Sequence, residues 1–114
     1  MTESEEIIEW LKKFRNERDW EQFHNSKDLA LAISVEASEL LELFLWKQSE
    51  EADKQKIKEE LADVFAFAFL LAQKHGLDVK EIVLAKIKSN GEKYPVDKAK
   101  GTAIKYNQLW TSKY

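Results

Sequence analysis

Two pairs of acidic residues have the spacing of metal ligands. Glu36 and Glu39 are three residues apart, and so are Glu60 and Asp63. Residues separated by three positions lie on the same face of a helix. Carboxylates turned toward a core without a cation would each cost on the order of several kcal/mol of desolvation. Because dense carboxylate oxygens suit Mg²⁺, Mn²⁺ or Ca²⁺, the spacing predicts a divalent-metal site.

The helix faces that carry these pairs are otherwise apolar. Their apolar members are Leu29, Ala32, Ile33, Leu40 and Leu43 on the first face, and Ile57, Val64, Phe67 and Leu71 on the second. Since the chain has 21 acidic residues, chance pairs on solvated faces are also expected. Glu42 and Glu59, however, lie on the outer faces, where surface charges belong. Position therefore favours metal ligands over surface charge for the two pairs.

A di-iron carboxylate site is the competing interpretation of these acids. Such sites take Glu-x-x-His motifs from two helices. Here the corresponding positions are Glu39 and Asp63, and the chain has only two histidines, His24 and His75. It has no cysteine, which excludes a thiolate site. The ligand types therefore favour a hard divalent cation.

Long helices must position these residues. Three glycines and one proline in 114 residues are few turn formers, which predicts an all-α fold. The predicted helices cover about 3–18, 26–46, 54–75 and 79–93, with an arm at 96–114. The capping signals are Thr2 with Glu5 for the first helix, Ser26 or Asp28 for the second, Asp78 with Glu81 for the fourth, and Gly76 as the stop of the third.

The third helix predicts self-association. From Leu61 to Ala72 it is apolar nearly all round, and a chain of this size cannot easily bury a helix on every side. We therefore expect a homo-oligomer. The same stretch is too short to cross a membrane and contains Asp63. Without a basic-then-apolar leader at the N-terminus, the sequence predicts a cytoplasmic protein. A net charge of −3 argues against a nucleic-acid polymer as partner.

Other residues have two interpretations each. Trp20 and Trp46 bracket the second helix, and large aromatics fill cores or interfaces more often than they stack on a nucleobase. Lys86, Asn90 and Lys93 recur about once per turn, as a solvated face or a row that contacts phosphates would. His24 is typical of a surface or capping residue. His75 is typical of a charge at a helix C-terminus.

The acidic motifs resemble a known family. Glu36-Ala-Ser-Glu39 followed by Glu60-Leu-Ala-Asp63 resembles the MazG-type nucleotide pyrophosphohydrolases of the all-α NTP pyrophosphatase superfamily. Three further segments are similar to its dCTP pyrophosphatase branch: 14–24, 43–47 and 86–95. The likeness extends through Gly101 and Lys105-Tyr106 and covers about residues 14–109.

The resemblance implies a fold and a reaction. The fold is a single domain over 1–114, with a four-helix body at 1–95 and an arm at 96–114, that forms a helical bundle as a dimer or as a tetramer. The reaction converts a nucleoside triphosphate, dCTP or a related deoxynucleotide, to the monophosphate and pyrophosphate. Its expected role is housecleaning of the nucleotide pool.

The resemblance also implies roles for individual residues. Glu36, Glu39, Glu60 and Asp63 bind Mg²⁺, for which Mn²⁺ can substitute. On chemical grounds, an acid that is not fully engaged with the metal accepts the proton of the attacking water, and Glu36 or Glu39 is expected in this role. The implied substrate-binding residues are Trp20, Trp46 and Phe67 at the base, and Lys86, Asn90 and Tyr94 at the phosphates. Leu11 and Phe67 depart from the branch, which has histidine and tyrosine at these positions. Two polar side-chain groups near the base are therefore missing.

Alternatives within and outside this chemistry follow from the same residues. The chain could hydrolyse dUTP, phosphoribosyl-ATP or a modified nucleotide on the same fold. A different class is a non-catalytic helical interaction module, which would bind no Mg²⁺.

Overall fold

The helical content agrees with the sequence. The structure, a computed structural model, describes residues 1–110, and within them it has helices and no strands. The elements are α1 (Glu3–Glu17), a 3₁₀ turn (Glu21–Phe23), α2 (Ser26–Glu42), α3 (Lys54–Lys74), α4 (Val79–Lys93), α5 (Val96–Ala99) and α6 (Tyr106–Trp110). The all-α prediction is confirmed, and the long helices fall where the patterns predict them except for the end of α2.

The structure confirms the predicted cap of α1 and corrects that of α2, while the capping box of α4 stays a prediction. The α1 capping box forms as predicted: Thr2 N donates to Glu5 Oε2 at 2.9 Å, and Glu5 N donates to Thr2 Oγ1 at 3.1 Å. The prediction of Ser26 or Asp28 as the α2 cap is wrong. Asn25 caps this helix, because its Oδ1 accepts from Asp28 N at 2.9 Å. An asparagine side chain satisfies the first-turn donors as well as a serine does.

The predicted end of α2 near Trp46 is also wrong, since the helix ends at Glu42. After it, Leu43 N donates to Leu40 O, and the next two amides likewise bond three residues back. Such bonds tighten the last turn into 3₁₀ geometry. Trp46 then adopts a left-handed φ of 64°, which ends the turn. By contrast, α3 stops as predicted, with Gly76 left-handed at φ 65°.

Helices α2 and α3 pack side by side as an antiparallel hairpin. Ser26 Oγ at the start of α2 lies 2.9 Å from His75 Nε2 after the end of α3. His75 thus links the open end of the hairpin, a role that its sequence position did not predict. Helix α1 packs on α3. The resulting core is small: among the described residues, the buried apolar side chains are Leu29, Leu70 and Ala72.

The chain divides into two compact units, the first over Met1–Val79 and the second from Lys80 onward. The first contains α1, α2 and α3 with all four predicted metal ligands. The second contains nearly all of α4 and the short helices after it. The predicted single domain with a body and an arm stays a prediction. In residues 1–110, none of the helices has the length and apolar character needed to cross a membrane.

Candidate active site

The antiparallel hairpin brings carboxylates from both helices together. Glu36 on α2 and Glu60 and Asp63 on α3 each offer an oxygen, and these three atoms lie within 4.8 Å of one another. Glu36 and Glu60 are half-buried, whereas Asp63 is exposed. Glu39 lies beside the three, within hydrogen-bonding reach of both Glu36 and Glu60 when one carboxyl carries a proton. All four predicted ligands therefore belong to one group, which we call the carboxylate cluster.

The carboxylate cluster is electrostatically unfavourable without a cation. Partial burial, then the hydrogen bond and charge of Glu39, raise the pKa of Glu36 to about 7. The charges of Asp63 and Glu60 add to this rise. Partial burial and Glu39 likewise raise the pKa of Glu60. Oε2 of Glu36 and Oε2 of Glu60 are both buried without a hydrogen-bond partner. Buried oxygens of this kind normally have a partner, so the cluster favours any added positive charge.

A divalent cation fits this group. Within residues 1–110, neither lysine nor arginine forms an ion pair with Glu36, Glu60 or Asp63. The donor set is all carboxylate oxygen, which is what Mg²⁺, Mn²⁺ and Ca²⁺ prefer. The residues that would hold the ion are thus Glu36, Glu60 and Asp63, with Glu39 adjacent.

A cavity of about 310 Å³ opens beside the carboxylate cluster. Its lining residues are Leu11, Phe14, Arg15, Trp20, His24, Glu36, Asp63, Ala66, Phe67 and Leu70. They come from α1, the 3₁₀ turn region, α2 and α3. The cavity is mainly apolar and aromatic, with a few polar groups, as small-molecule sites usually are. It brings Trp20 and Phe67, both predicted at a base, next to two of the predicted metal ligands.

The other predicted substrate residues fall into two groups. Trp46 is fully exposed and does not line it. Lys86 and Asn90 lie on α4 and Tyr94 directly after it, in the second unit of the chain. Their contact with phosphates stays a prediction.

Sequence reasoning missed two polar residues of the cavity. Arg15 is only 7% exposed, although it lies on a helix at the protein surface. Its position four residues after Leu11 puts it on the apolar stripe of α1, and a charge on such a stripe is the signal that could have found it. His24, expected at the surface, is half-buried in the cavity wall.

His24 is held neutral by its surroundings. Burial lowers its pKa, and the charge of Arg15 lowers it further, against a smaller opposing effect of Glu21. Its Nδ1 is buried without a hydrogen-bond partner, and its ring stands edge-on to Phe67 at 6.4 Å between centroids. A neutral imidazole beside an aromatic cavity can donate or accept a hydrogen bond, depending on its tautomer.

Comparisons with known proteins agree on one family. The sequence profile of the MazG-like family matches residues 31–109. The chain is 39% identical to dCTP pyrophosphatase 1 of Bos taurus, over 92% of this chain and 67% of that protein. It is 37% identical to dCTP pyrophosphatase 1 of Homo sapiens, over 92% of this chain and 66% of that protein. The chain thus spans about two thirds of the length of these relatives.

A solved structure is similar in fold as well as in sequence. It is the crystal structure of a pyrophosphatase from Archaeoglobus fulgidus, with a TM-score of 0.78 and 35% identity. The match covers 83% of this chain and 94% of that chain.

Proposed function

Because the chain belongs to the MazG-like family and is a nucleotide pyrophosphatase, we propose that it hydrolyses dCTP or a related deoxynucleoside triphosphate with Mg²⁺. We expect Mn²⁺ to substitute for Mg²⁺. One observation carries the proposal: the carboxylate cluster lies beside an aromatic cavity of about 310 Å³. Such a pair of features suits a substrate that combines a polyanionic triphosphate with an aromatic base.

The reaction adds water to the α-phosphorus of the substrate. The new bond joins the water oxygen to that phosphorus, the bond from it to the bridging oxygen of the β-phosphate breaks, and pyrophosphate leaves. A bound divalent cation would neutralise the triphosphate and make the water more acidic. Glu36, Glu60 and Asp63 would hold it, and we assign the proton of the water to Glu39. Glu39 is the fitting acceptor because it adjoins the other three without belonging to their closest group.

The base lies in the aromatic part of the cavity. Trp20 and Phe67 supply faces for stacking, which stabilises any nucleobase by about 1–3 kcal/mol. The proposed preference for dCTP is based on the similarity of the chain to dCTP pyrophosphatases. Leu11 lines the cavity, so the position where the branch has a histidine is apolar at this point. A pool-cleaning role in the cytoplasm belongs to the same proposal.

A nucleotide panel tests the function. Purified protein with Mg²⁺ should release pyrophosphate from dCTP faster than from dUTP, phosphoribosyl-ATP or modified deoxynucleotides, with dCMP as the second product. Phosphorus NMR of the products distinguishes pyrophosphate from stepwise release of phosphate. Faster hydrolysis of another nucleotide would move the assignment to that substrate. If no nucleotide of the panel releases pyrophosphate, the alternative of a non-catalytic interaction module is favoured.

We also propose that the chain works as a homo-oligomer, as a dimer or a tetramer. The described residues include many exposed large apolar side chains, among them Trp10, Leu41 and Phe65, against a core of three buried apolar residues. So small a core rarely stabilises a chain of this length by itself. Light scattering should therefore give a mass of at least two chains. A stable mass of one chain would contradict the proposal.

A further inference from the structure

The cavity beside the carboxylate cluster has opposite charges at its two ends. Asp63 and Gln73 are ten residues apart on α3, which is roughly 15 Å along a helix. Asp63 lines the cavity at the acidic end. Arg15 also lines it, and its Nη1 lies 3.4 Å from Gln73 Oε1. Arg15 also lines a smaller cavity of about 170 Å³ together with Glu21, His24 and Gln73. Arg15 therefore lies at the end away from the carboxylates.

The contacts of Arg15 are weak for so buried a charge. Its Nε donates to Asn16 Oδ1 at 3.0 Å, but the bond to Gln73 is long and Nη2 lies 3.5 Å from Glu21 Oε2. The Glu21 side chain is 68% exposed, and ion pairs with exposed partners contribute little. Burying a charge without close partners is costly. Its two hydrogen bonds use the Nε–H and one N–H of Nη1, and Nη2 meets Glu21 only as a long ion pair, so at least one N–H remains on each terminal nitrogen.

These two N–H groups match one class of ligand atom. An arginine fork donates two parallel hydrogen bonds to a pair of neighbouring acceptors and accepts none. The triphosphate belongs at the opposite, carboxylate end, so the acceptors at this end come from the base. Among pyrimidines, cytosine presents two adjacent acceptors, O2 and N3. Uracil and thymine carry a donor N–H at position 3, which faces an arginine unfavourably.

We propose that Arg15 is a specificity-determining residue that reads the O2/N3 edge of cytosine. Asn16, Gln73 and Glu21 surround the guanidinium, and His24 lines the same cavity. This inference rests on the proposed function and deepens it, because it names the group that selects the base. It also shows how the chain discriminates with leucine at position 11, since the donor comes from the next turn of α1.

The test compares kcat/KM for dCTP, dUTP and a dCTP analogue with carbon in place of N3. A good bidentate contact is worth about 10- to 100-fold in discrimination. For the unmodified protein, kcat/KM should be lower by that factor for the analogue and for dUTP than for dCTP. In Arg15→Gln, kcat/KM for dCTP should fall by the same factor, mainly because KM rises. Its kcat/KM values for dCTP and for the analogue should be equal. Arg15→Lys keeps the charge but lacks the fork, so it should not restore the preference.

The controls separate base reading from a structural role. Lys27→Gln makes the same charge change at an exposed position of α2 and should keep the dCTP preference. Thermal melts show whether each variant is folded. If Arg15→Gln does not fold, the test is the ratio of kcat/KM for dCTP to kcat/KM for the analogue in the unmodified protein. Equal rates on dCTP and the analogue, or an unchanged dCTP-to-dUTP ratio in folded Arg15→Gln, would overturn the inference and leave the proposed function intact. Absence of pyrophosphate release from every nucleotide would overturn both.

Discussion

Replacing Glu36 by Gln should abolish pyrophosphate release and, at the same time, make the metal-free protein more stable. Glu36 is one of the three residues whose oxygens lie within 4.8 Å of one another. Loss of outer-shell groups alone costs metal sites about 10- to 100-fold in affinity or activity, so loss of a ligand should lower kcat by more than about 100-fold. Stability should rise because an amide adds no charge to the cluster and can donate to Glu39 or Glu60.

The combination of the two effects identifies a metal ligand. If Glu36 served only to stabilise the fold, its substitution would lower both the activity and the stability of the protein. Glu42→Gln is the matched control, because Glu42 lies on the same helix and is exposed. It should change neither property. Full activity of Glu36→Gln with Mg²⁺, or a lowered melting temperature without metal, would contradict the assignment.

The gain in stability should depend on pH in a defined direction. The pKa of Glu36 is about 7 in the folded chain, against an ordinary value of 4.5. Between these values the folded state binds more protons than the unfolded state, so the free energy of unfolding falls as pH rises. Glu60, whose pKa is also raised, acts in the same direction. Chemical denaturation of the metal-free protein at pH 5 and pH 8 should show a smaller decrease for Glu36→Gln than for the parent. An equal decrease would contradict the shift.

Removing divalent cations should reduce turnover of dCTP to background. Without a cation, the carboxylate cluster repels a triphosphate, because four acidic groups then face a polyanion. After chelation and dialysis, Mg²⁺ or Mn²⁺ should restore pyrophosphate release, whereas NaCl at the same ionic strength should not. Turnover that persists in the presence of chelator would show that the carboxylates do not act through a metal.

The sequence predicted most of the carboxylate end of the site. Acidic residues at positions 36, 39, 60 and 63 interrupt apolar stripes, and an antiparallel hairpin of two long helices necessarily brings such stripes together. The opposite end was missed, although Arg15 interrupts the α1 stripe in the same way. An arginine stem packs on apolar surface while its head stays polar, so its position on a stripe is a weaker signal than that of a short carboxylate.

Local turn geometry and the role of α4 were harder to predict. The early end of α2 depends on a left-handed residue at Trp46, where a bulky side chain is unusual, and periodicity alone continues the helix past it. The Asn25 cap was missed because three neighbouring residues can all cap a helix. Lys86, Asn90 and Tyr94 belong to the second unit, and helical spacing defines their common face without defining what that face contacts.

Binding of Mn²⁺, followed by the paramagnetic resonance signal of the free ion, tests the central claim most directly. Metal-free protein is titrated with Mn²⁺ in the absence of nucleotide, alongside Glu36→Gln and Glu42→Gln. We predict that the parent and Glu42→Gln remove Mn²⁺ from solution at one or more ions per chain, and that Glu36→Gln leaves most of it free. Equal binding by all three proteins, or no binding by the parent, would contradict a metal site formed by the carboxylates of α2 and α3.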